Sequence, residues 1–365
     1  MVNLPMHNHF SRTYQQAREH FLALCQTSEA VLVHIKHPDQ GPDGELYADV
    51  ASWCDPNCDH LIVVSSATHG IEGYAGSGLQ SLLLADDVHR QLPKGTGLLM
   101  IHAVNPYGFA WQRRVDELNI DLNRNFVDHD QLPVNEAYRE IATLLEPIGW
   151  DESVEQAIQQ KFQTLNQEKG AGWLQAAMTM GQYEFSDGFF YGGDQPAWSN
   201  RWMYRLADEY FAKAKSVTMI DIHTALGEFG EAECITTYAP ESDESRRCRA
   251  LWGDRVKSTG SGESRSVDVN GPMVNAMQGY SDFLGTGLEF GTRGIPEVTM
   301  ALVADLWLHR YGDFDMSNGT YKGGGNRHPI KDRMMDAFYP DSAKWRDSVA
   351  DITREVLAQS LTRSP

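Results

Sequence analysis

Short apolar runs alternate with segments of helical periodicity in the first third of the chain. Residues 61–66 and 97–104 are continuous apolar runs, which are typical of strands covered on both faces. Between them, residues 73–85 have the pattern of a helix that ends in a leucine-rich turn. A strand, a helix and a second strand in this order predict a parallel βαβ unit.

The remainder of the chain continues this alternation, and no linker or internal repeat divides it. The further predicted helices are 11–25, 135–145, 153–165, 200–214, 251–257 and 342–361, and the further predicted strands are 30–35, 217–222, 234–238, 286–290 and 298–303. We predict one domain over residues 1–365, with a mixed, largely parallel sheet between helices. The glycine-rich residues 321–329 are predicted to form a surface loop, with a lid as the alternative.

Charge and composition narrow the classes of partner. The formal net charge of −19 argues against nucleic acid or an anionic membrane surface as the main partner. No apolar run is long enough to cross a membrane, and no secretory signal is visible at the amino terminus. The five cysteines form no disulfide framework. Together these features predict a cytoplasmic protein with reduced thiols.

Two strand ends carry side chains that can bind a metal ion. His69 and Glu72 follow the 61–66 strand, with glycines that permit a tight turn between them, and His223 follows the 217–222 strand. Two histidines and a glutamate form the protein ligand set of a catalytic zinc, which leaves one position for water. Asp221 could orient a ligand histidine or cap a neighbouring helix, and the sequence does not decide between these roles.

A second polar block, Asp121-Leu122-Asn123-Arg124-Asn125-Phe126, follows the 97–104 strand at a distance. Arginine binds a carboxylate through two parallel hydrogen bonds, and an adjacent asparagine can add its amide. Asn123 and Arg124 are therefore candidates for holding an anionic substrate group. The alternative is a charged turn with asparagine caps.

The order of these motifs resembles the zinc carboxypeptidase superfamily. The motifs are His-x-x-Glu, Asn-Pro-x-Gly-Phe, Asp-Leu-Asn-Arg-Asn-Phe, Asp-x-His-Thr and a late glutamate in Leu288-Glu289-Phe290-Gly291-Thr292. The likeness covers residues 60–305 and is strongest to a bacterial branch of uncharacterised carboxypeptidase-like proteins. The aspartoacylase and succinylglutamate desuccinylase group is a more distant relative. The resemblance implies a three-layer α/β/α sandwich around a mixed sheet of about eight strands.

The resemblance also implies how the metal and its base are supplied. One zinc ion would be bound by His69, Glu72 and His223. Glu289 matches the residue that acts as general base and then as general acid.

The same resemblance assigns groups to the substrate. Asn123 and Arg124 match the pair that binds a free carboxylate, and an upstream arginine matches the group that stabilises the oxyanion. Arg114 and Arg113 both fit that second role, and Arg114 is preferred. Tyr280 is the candidate for a substrate-binding tyrosine, although it lies closer in sequence to Glu289 than the usual pattern has it.

These assignments predict a zinc-dependent hydrolase of the metallocarboxypeptidase type. Its substrate would be a peptide or an N-acyl amino acid with a free carboxylate. Two alternatives stay open: a deacylase of N-acyl amino acids that uses the same site, and a binding protein without activity on the same scaffold. The sequence does not indicate an oligomeric state.

Overall fold

The computed structural model describes residues 9–54, 58–312, 314–315, 320–321 and 328–363, so most of the predicted loop 321–329 lies outside the described residues. Its strands, numbered in chain order, are β1 (Val31–Gly41), β2 (Gly44–Trp53), β3 (His60–Ser65), β4 (Thr96–His102), β5 (Ser216–Phe229), β6 (Ala232–Thr236), β7 (Val256–Ser258), β8 (Asp282–Gly291), β9 (Phe314–Asp315) and β10 (Thr320–Tyr321).

The helices lie between and after these strands. In chain order they are α1 (Tyr14–Thr27), α2 (Gly73–Ala85), α3 (Pro106–Ala110), α4 (Glu136–Leu145), α5 (Glu152–Lys169), α6 (Ala171–Thr179), α7 (Trp198–Tyr210), α8 (Asp243–Trp252), α9 (Met273–Ala276), α10 (Ile295–Tyr311), α11 (Pro329–Phe338) and α12 (Ala343–Ser360). Among the described residues, none of these helices has the length and apolar character needed to span a bilayer.

The first eight strands form one mixed sheet in the order β1-β2-β4-β3-β5-β8-β6-β7, with helices on both faces. The central pairs β4–β3, β3–β5 and β5–β8 are parallel, whereas β1–β2, β2–β4 and β6–β8 are antiparallel. The predicted βαβ unit is confirmed as β3, α2 and β4. This is the α/β sandwich that the sequence predicts.

Alternating side chains of the central strands enter two separate cores. In β3, Ile62 and Val64 belong to one buried cluster, and Leu61 and Val63 belong to the other. Successive residues of a strand point to opposite faces, so this division shows that both faces are covered by apolar groups. The continuous apolar run in the sequence has this physical cause.

Three details of the sequence prediction are wrong. Residues 298–303 belong to helix α10, which is buried over most of its length and therefore lacks the amphipathic periodicity that distinguishes a helix from a strand. Residues 251–257 do not form one helix, because α8 ends at Trp252 and strand β7 begins at Val256. The sequence prediction also missed β2, although it lies directly after β1.

Close backbone packing fixes the turn that carries His69. The amide of Gly70 donates to the carbonyl of Arg114 at 3.0 Å, and the amide of Ile71 donates to the carbonyl of Arg113 at 2.7 Å. A Cβ on Gly70 would lie 2.0 Å from the carbonyl carbon of Gly108. Only glycine therefore allows this turn to approach the backbone that it contacts.

We expect Gly70→Ala to lower the free energy of unfolding by about 1–3 kcal/mol, because the added methyl group overlaps rigid backbone. Gly149→Ala is the matched control, since a Cβ at Gly149 meets no atom within 4 Å. Denaturant unfolding followed by circular dichroism measures both variants. Equal stability of the Gly70→Ala protein and the wild type would show that the turn can move away.

Candidate metal centre

Three buried side chains meet at one point of the structure. His69 Nδ1 lies 2.9 Å from Glu72 Oε1, and His223 Nδ1 lies 2.8 Å from Glu72 Oε2. The two Nδ1 atoms are 3.2 Å apart. One donor atom from each residue falls within 4.8 Å of the others, and no side chain of the three is more than 7% exposed. Among the described residues this is the one such cluster of metal-ligand type.

Neighbouring parallel strands bring these residues together. His69 follows β3 and precedes the short 3₁₀ turn Gly70–Glu72, after which α2 begins. His223 lies on β5, where Asp221 is in register with Ser65 at the end of β3. Because β5 continues to Phe229, His223 lies within the strand, whereas the sequence prediction ended the strand before it.

A carboxylate holds the outer nitrogen of each histidine. His223 Nε2 lies 2.6 Å from Asp221 Oδ2, and His69 Nε2 lies 3.2 Å from Asp121 Oδ1. Arg114 Nη2 also lies 2.8 Å from His69 Nε2, so this nitrogen can bond with only one of the two in a given tautomer. When His69 carries its proton on Nε2 and donates it to Asp121, the lone pair of its Nδ1 is directed at Glu72. Of its two possible roles, the contacts favour Asp221 as the group that orients His223.

Burial and neighbouring charges have opposite effects on the pKa values of the side chains in and around the cluster. Burial disfavours ionisation of Glu72, but the interactions with His69 and His223 outweigh it and lower the pKa of Glu72. Burial likewise opposes a charged His223, yet Asp221 and Glu72 raise its pKa well above the ordinary value. Despite its burial, the pKa of Asp121 is well below the usual range, because Arg114 and Arg124 stabilise its charge.

Glu289 lies on β8, directly opposite His223 in the pairing of β5 with β8. Its Oε1 accepts a hydrogen bond from the amide of Leu226 at 2.8 Å. Burial, and next the negative charge of Glu72, raise the pKa of Glu289 to about 7. A carboxyl group with such a pKa can both accept and return a proton near neutral pH.

The side chains of Arg114 and Arg113, the two candidates for stabilising the oxyanion, have different contacts. The guanidinium of Arg114 donates to Asp121 Oδ2 at 2.9 Å and to Glu72 Oε1 at 3.4 Å, so it lies beside the cluster. The side chain of Arg113 instead contacts Asp305 and Asn119, each at 3.3 Å. Arg113 contributes its backbone carbonyl to the turn of His69, and its charged group is directed away from the metal ligands.

Asn123 and Arg124 line a cavity that opens from the cluster of His69, Glu72 and His223. Asn123 Oδ1 accepts from the amide of Met273 at 3.0 Å, and its Nδ2 lies 3.4 Å from His223 Nε2. Arg124 donates through Nε to the carbonyl of Thr179 at 2.8 Å. Burial, and to a lesser extent the charge of Arg114, lower the pKa of Arg124 to about 10 even though Asp121 opposes this effect.

The assignment of Tyr280 to this site is corrected by its position. Tyr280 comes just before β8, and Asp282 at the start of that strand pairs with Ser216 at the start of β5. The tyrosine therefore lies at the opposite edge of the sheet from His223. Its hydroxyl donates to Asp208 at 2.9 Å.

Sequence reasoning missed two residues that contact the site. Asp121 was visible in the Asp-Leu-Asn-Arg-Asn-Phe motif, but its contact with His69 depends on the fold. Phe190 belongs to an aromatic-rich segment, and its ring lies against the guanidinium groups of Arg114 and Arg124. Composition alone could not distinguish Phe190 from the neighbouring aromatic residues.

A cavity of about 630 Å³ opens from the cluster. Helices α5 and α6 supply one wall, which includes Phe162, Leu174 and Met178. The face of β8 that carries Glu289 also carries Gly285 and Gly287, because alternate residues of a strand share a face. A Cβ on Gly287 would lie 3.5 Å from its nearest neighbour, His223 Cδ2, so this glycine leaves space along the strand next to the cluster.

The donor set fits zinc. Two imidazole nitrogens and one carboxylate converge from buried, preorganised side chains, and both outer nitrogens contact carboxylates. Zinc accepts this combination of nitrogen and oxygen ligands, and such carboxylate contacts are typical of metal-bound histidine.

Comparison with solved structures shows that the fold of this chain is similar to that of carboxypeptidase A. Carboxypeptidase A from Helicoverpa armigera has a TM-score of 0.50 at 10% identity, covering 98% of this chain and 77% of that chain. Bovine thrombin-activatable fibrinolysis inhibitor, in complex with tick carboxypeptidase inhibitor, has a TM-score of 0.47 at 11% identity, covering 96% and 99%. The metallo-carboxypeptidase from Burkholderia cenocepacia has a TM-score of 0.44 at 10% identity, covering 82% and 68%. At this identity, the likeness to carboxypeptidase A shows the fold alone.

The chain belongs to the family described as "Protein of unknown function (DUF2817)", whose model matches residues 10–351. The match includes the metal cluster, the arginine block and Glu289. No curated protein matches the chain.

We expect Asp221→Asn and Asp121→Asn each to weaken zinc affinity by about 10–100-fold, because each removes a carboxylate that orients a histidine. Competition with a chromophoric chelator measures the affinity directly. Asp130→Asn is the control for loss of one negative charge, since Asp130 is exposed. Unchanged affinity in both test variants would exclude an orienting role. Unfolding curves recorded in parallel separate a loss of affinity from a loss of fold.

Proposed function

We propose that this protein is a zinc-dependent hydrolase of the metallocarboxypeptidase type, which cleaves an amide bond in a small substrate with a free carboxylate. The observation that carries the proposal is the convergence of His69, Glu72 and His223 with Glu289 opposite His223 on the next strand. We also propose a cytoplasmic location, because the five cysteines show no spacing typical of a disulfide framework.

In this proposal His69, Glu72 and His223 hold one zinc ion. When bound, zinc supplies Lewis-acid chemistry, which polarises a carbonyl group and lowers the pKa of water. Glu289 accepts the proton of the attacking water and then gives it to the leaving nitrogen, for which a pKa near 7 is suited. Arg114, beside Glu72, donates to the oxyanion that develops on the carbonyl oxygen.

Arg124 and Asn123 bind the substrate carboxylate at the wall of the cavity. Arg124 is buried and keeps a full positive charge at neutral pH, because its lowered pKa of about 10 is still well above 7. A buried cation binds a carboxylate more strongly than an exposed one, because water screens the pair less. Peptides with a free carboxyl terminus and N-acyl amino acids both present such a group.

A deacylase of N-acyl amino acids is the second candidate, and it would use the same residues. The two activities differ in what occupies the leaving side of the amide, so parallel assays of short peptides and N-acyl amino acids distinguish them. A binding protein without activity is the third candidate. It is disfavoured because Glu289 has both the position and the raised pKa that proton transfer requires.

Metal analysis and a chelator test examine the central claim. We expect the purified protein to contain about one zinc per chain, because its ligand set is complete. We expect hydrolysis of a peptide or N-acyl amino acid panel to stop after treatment with a chelator and to return with zinc. Intact protein that binds no zinc and hydrolyses no member of the panel would refute the proposal.

Glu289→Gln should lower kcat by about 10²–10⁴-fold while zinc binding stays unchanged, because an amide cannot accept the proton of water. Steady-state kinetics and zinc content are measured on the same preparation. Glu168→Gln, the same chemical change on an exposed part of α5, is the control. Wild-type turnover in the Glu289→Gln protein would remove this residue from the mechanism.

Gly287 offers a test of which part of the cavity holds the substrate side chain. Its Cβ would meet His223 Cδ2 at 3.5 Å, an ordinary contact, so Gly287→Ala should be tolerated. Gly287→Leu should fill the adjoining space and lower kcat/KM for substrates with a bulky apolar side chain by about tenfold or more. Substrates with a small side chain should be affected less. An equal loss for large and small substrates would place the side chain elsewhere.

A further inference from the structure

One aromatic ring contacts both cationic groups of the site. The Cζ atom of Arg114 lies 4.8 Å from the centre of the Phe190 ring, and the Cζ atom of Arg124 lies 5.1 Å from it. Both distances are within the range in which a guanidinium is attracted to the face of an aromatic ring. The two arginines therefore share one neutral partner as well as the carboxylate of Asp121.

Phe190 adopts an unfavourable backbone conformation. Its φ angle is +50°, in the left-handed region that side chains with a Cβ rarely occupy. Such a conformation persists only where the surroundings enforce it. The contacts around Phe190 therefore hold its backbone in this conformation.

Hydrogen bonds on both sides of Phe190 enforce its conformation. The carbonyl of Phe190 accepts from the amide of Gln182 at 3.2 Å, and the amide of Phe189 donates to the hydroxyl of Tyr138 at 2.6 Å. The carbonyl of Tyr191 accepts from the amide of Asp121 at 2.7 Å. The segment that carries the ring is thus bonded to the backbone of the residue that contacts His69 and Arg114.

The chemistry of the ring suits a site that must keep its hydrogen-bond donors for a ligand. Two guanidinium groups near each other repel, and a ring face can offset part of that repulsion without accepting any of their in-plane N–H groups. Leucine or another aliphatic side chain could fill the same volume but has no negative ring face. The observed contact therefore has an electrostatic role that packing alone would not supply.

We propose that Phe190 is a positioning residue, which holds Arg114 and Arg124 in a fixed relation so that one binds the oxyanion and the other the substrate carboxylate. This inference rests on the proposed function for the roles of the two arginines. The positioning itself depends only on the contacts of the ring. The experiment therefore has a kinetic arm, which tests the roles of the arginines, and a structural arm, which tests their positioning.

The kinetic arm compares Phe190→Leu with Phe190→Tyr in the zinc-loaded protein. Leucine removes the ring face, so we expect KM to rise and kcat to fall, each by about threefold to thirtyfold. Tyrosine keeps the ring and should restore both parameters to within about threefold of the wild type. Phe185→Leu is the control for loss of a ring from the same segment, because Phe185 packs on Tyr138 rather than on an arginine.

The structural arm needs no turnover. Modification by phenylglyoxal, an arginine-specific reagent, is followed at Arg114 and Arg124 by mass spectrometry. We expect Phe190→Leu to increase the modification rate at both arginines, and Phe190→Tyr and Phe185→Leu to leave it unchanged. A Phe190→Leu protein that is modified at the wild-type rate overturns the positioning role.

The two arms separate the possible failures. A wild-type protein that hydrolyses nothing refutes the proposed function, while the modification rates still decide whether Phe190 positions the arginines. An active Phe190→Leu protein with wild-type kcat and KM overturns the inference and leaves the proposed function intact. A change of KM and kcat that Phe185→Leu reproduces also overturns it, because the loss would then reflect general packing of the segment.

Discussion

The buried carboxylate of Asp121 is the interaction on which the rest of the site depends. It lies against His69, Arg114 and Arg124, so it joins the cluster of candidate metal ligands to both cationic groups. A charge in this position is tolerated only because these partners compensate for its lost hydration. Because His69, Arg114 and Arg124 all contact this one carboxylate, it supports the histidine of the cluster and both cationic groups at once.

The register of the sheet is a second constraint on the geometry of the site. Parallel strands β3, β5 and β8 lie side by side, and their register brings Asp221 next to Ser65 and His223 opposite Glu289. A shift of one residue in either pairing would turn one of these side chains to the other face of the sheet. The apolar groups that alternate into two cores hold this register, so the hydrophobic pattern also determines where the chemistry lies.

The elements that follow a local rule could be predicted from sequence, and those set by tertiary contacts could not. The βαβ unit was predictable because its apolar runs and its helix have distinct patterns and lengths. Helix α10 was not predictable, because a helix buried on all sides has no polar face to reveal its period.

The cluster of His69, Glu72 and His223 was visible from residue types at strand ends. By contrast, the roles of Arg113 and Arg114 depend on which way adjacent side chains turn, and Tyr280 was misplaced because closeness in sequence to Glu289 does not imply closeness in space.

The bond between the amide of Asp121 and the carbonyl of Tyr191 has a consequence for folding. Asp121 and Tyr191 are far apart in the chain, so their contact closes a long loop and carries the entropic cost of that closure. Strands β3 and β4 and helix α2 form a local unit that can fold before this loop closes. The strand that precedes His69 would then be in place before the carboxylate of Asp121 arrives beside the histidine, so the cluster would be completed later than the secondary structure around it.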